Sequence, residues 1–161
     1  NELDMGFVWI GIHVALVAGP GILSGPFFGI LSDRIGRKAI IAFLMMASVI
    51  LSITTVLGGG GIIMTLSVAL FGVFHSSVNS LTQAAAIDVA EGRGLDATFM
   101  GLMWGSNAAF SSAAFVVVGI VISVTNDNWG IAFYIAAALF LAGFLATLLM
   151  PNSKSTNAQP T

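Results

Sequence analysis

Apolar residues fill this chain in five long stretches, at residues 5–31, 39–57, 62–87, 97–124 and 129–150, parted only by short polar or glycine-rich gaps. A helix needs about 20 residues to cross the hydrocarbon core of a bilayer, and each stretch is of that order or longer. The stretches are too long and too uniformly apolar for the alternating strands of a membrane barrel. The pattern therefore predicts an all-α membrane protein, a bundle of five transmembrane helices within residues 1–150. Pro151 is expected to stop the last helix. Residues 151–161 are polar and small and predict a disordered cytoplasmic tail.

Composition strengthens this picture. Hydrophobic residues make up 57% of the 161 residues and charged residues 7%, where a soluble domain carries about 25% charged. Mean hydropathy is +1.01. So little polar surface cannot cover a water-soluble globule, and the solvent must be lipid. The net charge of -2 offers no basic face to nucleic acid. Without cysteine there are no disulfides, thiolate metal sites or cysteine nucleophiles. No metal and no cofactor is expected.

The placement of positive charge adds an orientation. Arg34, Arg37 and Lys38 follow the first stretch, Arg93 lies between the third and fourth, and Lys154 follows the fifth. The gaps after the second and fourth stretches hold no Lys or Arg. Short loops rich in Lys and Arg stay in the cytoplasm. The N-terminal end is therefore expected outside, and the tail inside, in a multi-pass protein of the cell (inner or plasma) membrane. Trp9 and Trp129 fall near the outer boundary, where indole rings anchor. The chain begins with Asn1 rather than Met, and its number of spans is odd. Both lead to the expectation that it is a piece of a longer protein whose remaining helices complete the bundle.

The stretch Gly29-Ile30-Leu31-Ser32-Asp33-Arg34-Ile35-Gly36-Arg37-Lys38 resembles the G-x-L-[AS]-D-R-x-G-R-[KR] loop of the major facilitator superfamily at every defined position. It falls, as in that family, on a cytoplasmic turn between two spans. The resemblance implies a twelve-helix fold in two halves, of which five spans would match helices eight to twelve, or else helices two to six. The first assignment is preferred. The third stretch lacks the embedded Arg of some members' helix four, and the fourth lacks the Gly-Pro signature of antiporter members. The resemblance also implies a conformational latch made of Gly29, Asp33, Arg34, Gly36, Arg37 and Lys38, in which Asp33 and Arg37 help hold the cytoplasmic side shut. Read as residues alone, Gly29 permits close backbone packing and Gly36 a tight turn with positive φ. Asp33 can cap a helix N-terminus, and Arg34 and Arg37 can pair with carboxylates or helix-end carbonyls.

Polar residues inside the spans mark where the bundle meets something other than lipid. The second and fifth stretches are almost purely apolar and can face lipid. In the third, His75, Asn79, Thr82 and Gln83 recur at i, i+4, i+7 and i+8 on one helical face. Two readings stand: a substrate-contacting face, or hydrogen-bonding glue between helices. His75 and, in the first stretch, His13 either handle a proton or anionic group, or are neutral and bonded to a neighbour. Trp104, Asn107 and Ser111 in the fourth stretch carry the chemistry to recognise a small polar molecule, or else pack. Gly21, Gly25 and Gly29 suit close helix approach. Pro20 and Pro26 are expected to kink the first helix. Asp88, Glu91, Arg93 and Asp96 read as a solvated loop, with Asp96 capping the fourth helix.

The function implied is secondary active transport of a small solute by alternating access, with a coupling proton or other ion supplied by groups outside this stretch. The alternative is a non-transporting membrane sensor or assembly subunit on the same helices. An intramembrane enzyme is not expected, because no H-E-x-x-H, paired Asp or G-x-S-x-G occurs. No cysteine occurs in these 161 residues, so single cysteines placed in them, in a protein otherwise free of cysteine, test the orientation directly. A membrane-impermeant maleimide is expected to label Gly61→Cys from outside intact cells, and Arg34→Cys only after permeabilisation. The reverse pattern would invert the topology.

Overall fold

In the computed structural model, residues 7–59, 61–90, 94–126 and 128–149 are described. The tail at 151–161, Lys154, Arg93 and Glu91 lie outside them. Among the described residues the chain forms six helices: α1 Phe7–Ala18, α2 Gly21–Ile35, α3 Arg37–Leu57, α4 Ile62–Ala90, α5 Asp96–Val124 and α6 Gly130–Leu149. Five stretches are long and apolar enough to cross a membrane, with α1 and α2 together supplying the first, Gly11–Ile35. α4 and α5 have 29 residues each, a rise of about 43 Å, which exceeds a hydrocarbon core of about 30 Å.

The first span is broken once. Pro20 has no N–H to give to the Leu16 carbonyl, and α1 ends at Ala18 with Gly19 donating to the Ala15 carbonyl at 2.7 Å. The chain restarts within a turn, Ser24 donating to the Pro20 carbonyl at 3.1 Å. Pro26, also expected to kink the span, sits inside α2 without ending it. The carbonyls at the break face α4: a Cβ on Gly72 would lie 2.6 Å from the Leu16 oxygen, with the Val17 oxygen closer still. A hydrogen is all that fits there.

α2 turns into α3 through one residue. Gly36 has φ +108, a value that favours glycine, and its N–H closes α2 on the Ser32 carbonyl at 2.8 Å. α3 is the hub. It packs along α4 on one side and α6 on the other, while α4 also holds α1 and α2, and α5 leans on α4 with a lighter contact to α6. The core lies between α2, α3 and α4, where Phe28, Ile40, Ile41, Leu44, Val78 and Leu81 are buried together.

Several expectations need correction. The stretch at 39–57 does not simply face lipid: Ile40, Ile41, Leu44, Ser48, Val49, Ser52 and Thr55 of α3 are buried, whereas among the described residues of α5 only Ile122 is. Only the outer side of α3, with Phe43, Ile50 and Leu57, is exposed. Its buried hydroxyls are spent on its own backbone, with Ser48 donating to Leu44 at 2.9 Å, Ser52 to Ser48 at 2.8 Å and Thr55 to Leu51 at 2.8 Å, while Thr54 also meets Ser67 of α4 at 3.0 Å. Gly21 and Gly25 do oppose Ser76 and Ser80 of α4, but a Cβ on Gly29 would meet nothing within 4 Å. Beside the two paired glycines, Ser24 donates to the Val73 carbonyl at 3.0 Å, and Ser77 Oγ lies 3.0 Å from Ser24 Oγ.

Gly72→Ala is therefore expected to destabilise the protein by about 1–3 kcal/mol, the usual scale of overpacking. Gly101→Ala, where a Cβ meets nothing within 4 Å, is expected to be neutral or mildly stabilising. Unfolding by SDS titration in micelles measures both.

Candidate functional site

Two clusters gather the residues singled out in the sequence. The first is at the end of the bundle where α2 turns into α3. Arg37 opens α3, and its Nε lies 3.0 Å from Asp88 Oδ2 on the last turns of α4. Its Nη2 lies 3.7 Å from Asp33 Oδ1. One guanidinium thus links the turn to α4. Arg37 is the most enclosed member, with 24% of its side chain exposed, against 47% for Asp88 and 67% for Asp33. Lys38, the next residue, donates to the Leu148 carbonyl at 2.9 Å. An ammonium there meets the negative end of the α6 dipole. Gly36 makes both contacts possible by presenting Arg37 and Lys38 immediately after the turn. Arg34 is exposed, and no described carboxylate lies within ion-pair distance of it.

Two capping expectations are corrected here. The N-cap of α3 is Gly36, without a side-chain bond, so Asp33 meets Arg37 rather than capping that helix. Asp96 is the first residue of α5, and the cap is Leu95. Its carboxylate can act only through the helix dipole. The sequence pattern places Asp88 in a solvated loop, yet α4 runs on to Ala90 and carries it to Arg37. The available signal is an acid just past an apolar run, with two Arg against one Asp in a neighbouring turn.

The second cluster is a cleft between α4 and α5. Asn79, Thr82 and Gln83 line it from α4, Trp104 and Asn107 from α5, and Ala86 and Met103 complete the wall, around a volume of about 180 Å³. The i, i+3, i+4 spacing on α4 and i, i+3 on α5 bring these side chains to facing stripes. Thr82 donates to the Val78 carbonyl at 2.9 Å, with the Asn79 carbonyl at 3.0 Å, so its oxygen offers the cleft only lone pairs. Ser111, a turn further along α5, lies outside the lining.

His75 stands behind this cleft rather than in it. Its ring stacks on Phe71, with centroids 5.6 Å apart and planes at 5°, and meets Phe140 edge-on at 5.9 Å. Asn79 Nδ2 lies 3.4 Å from His75 Nε2. On the other side of the ring, Nδ1 is buried with no partner among the described residues. His13 is elsewhere. Its Nδ1 bonds the Trp9 carbonyl at 2.8 Å, leaving Nε2 to accept from the Thr65 hydroxyl at 3.2 Å. It borders a separate, apolar pocket with Thr55, Met64, Phe71 and Phe133, where it ties α1 to α4. Among the described residues no group of three or more His, Asp or Glu converges as a metal site would require.

The ion pair predicts a measurable coupling. A double-mutant cycle on Arg37→Ala and Asp88→Ala is expected to return about 0.2–1 kcal/mol, as half-exposed pairs do. The same cycle with Arg34→Ala in place of Arg37→Ala is expected to return none. SDS unfolding midpoints supply the numbers, and equal coupling for both arginines would remove the pairing.

The family model described as Major Facilitator Superfamily matches residues 1–161. No curated protein and no solved structure matches the chain.

Proposed function

The chain belongs to the major facilitator superfamily, a family of membrane transporters, and we propose that it serves secondary active transport of a small solute by alternating access. The observation that carries this reading is the polar cleft between α4 and α5, set within helices that are otherwise apolar enough to cross a membrane. Polar side chains in hydrocarbon are costly unless they face water, protein or solute. A solute pathway gives them a purpose.

The cluster around Arg37 supplies a switch. Asp33 and Asp88 are both substantially exposed, so their bonds to Arg37 exchange with water at small cost. Alternating access rocks one part of a transporter against another, and a contact of this strength breaks and reforms on that scale. We assign the latch role to Asp33 and Arg37, extended by Asp88, with the turn on the cytoplasmic side. The preferred placement remains helices eight to twelve of the twelve-helix fold, the other helices enclosing the pathway. A coupling proton or other ion would be handled there, or at His75, whose buried Nδ1 has an open position.

A sensor or assembly subunit on the same helices would keep this architecture without moving solute, so flux separates the two. Full-length protein in vesicles is expected to give saturable solute flux. Asp33→Asn with Arg37→Ala is expected to slow flux by about tenfold, or ~1.4 kcal/mol, with solute affinity nearly unchanged. Flux untouched by that pair would remove the latch role, and no protein-dependent flux would remove transport itself.

A further inference from the structure

From the unspent hydrogen-bonding groups of the α4–α5 cleft, the geometry points to an uncharged solute that carries hydroxyl or amide groups beside an apolar face. This deepens the transport reading above and rests on it.

Each lining group has a definite remaining capacity. Gln83 and Asn107 make no hydrogen bond to any described residue, and neither does the Trp104 indole N–H. Each amide therefore keeps two N–H donors and a carbonyl acceptor, and the indole keeps one donor. Asn79 directs its Nδ2 toward His75, 3.4 Å away, and keeps its carbonyl. Thr82 keeps lone pairs only. The wall thus offers both donors and acceptors. Hydroxyl and amide groups donate and accept at once, and they fit such a wall without leaving partners unpaired. Trp104 lines the cleft and is 54% exposed, and its ring offers an apolar platform for the solute's flat or C–H-bearing side.

Charge is what the cleft lacks. None of its lining residues is ionisable. The nearest acid along α4, Asp88, is engaged by Arg37 outside the lining. His75 is screened by Asn79 and held between Phe71 and Phe140. A carboxylate, phosphate or ammonium seated here would gain no counter-charge from the lining, and any water it gave up would go uncompensated. A neutral solute loses far less.

The test uses full-length protein in vesicles with matched probes: glucose, glucuronate and glucosamine, then adenosine and its monophosphate, and a dipeptide amide with its free acid. Flux is read by uptake, and binding by the part of the tryptophan fluorescence quenching that Trp104→Phe removes. Neutral members are expected to bind and compete, and charged members to be at least about tenfold weaker. Asn107→Asp is expected to reverse the order in favour of glucosamine. Trp104→Phe is expected to retain binding by uptake competition where Trp104→Ala loses it. A charged probe preferred by the unaltered protein would overturn the proposal. So would uptake unchanged by Asn107→Asp and Trp104→Ala in variants with normal unfolding midpoints, while leaving transport intact. Binding of neutral probes without flux would support the cleft assignment and overturn the transport reading instead.

Discussion

In hydrocarbon no water is present to take up a stray N–H or C=O, so every polar group must find its partner within the protein. This one constraint organises the molecule. It forces the backbone into helices and makes each departure from a helix a place where other groups must intervene. The departures are few. At Gly19–Pro20 the freed carbonyls lie against Gly72 of α4, where there is no room for a side chain. At Gly36 a single residue with positive φ reverses the chain while its own N–H stays bonded.

The same constraint sorts the side chains. Ser48, Ser52, Thr55 and Thr147 each return their proton to a carbonyl of their own helix. They are buried without being reactive, and their helices α3 and α6 can pack closely. Asn79, Gln83 and Asn107 are amides, which one backbone carbonyl cannot satisfy. The difference between a polar residue that is merely tolerated and one that awaits a visitor lies in this arithmetic, rather than in depth within the bundle.

The sequence made legible those features that depend on residues close in the chain. Helical spans followed from the length and uniformity of the apolar runs. The turn at Gly36 followed from its glycine, and the α4 stripe from simple periodicity. Features set by distant residues were less visible. Hydropathy cannot tell a neighbouring helix from lipid, so α3 read as peripheral although α4 and α6 cover it. Asp88 read as a loop residue because its partner, Arg37, is two helices away. Gly29 fitted a four-residue pattern with Gly21 and Gly25, yet faces open space because α4 opposes only the first two. Pro20 and Pro26 looked alike, and only the first ends a helix.

Lys38 closes a loop of unusual span, since its ammonium rests on the carbonyl of a residue 110 positions later. The acceptor sits in the last turn of α6, so the contact fixes the end of α6 against the start of α3. It acts as a clasp at the end of the bundle where the Arg37 pairs stand.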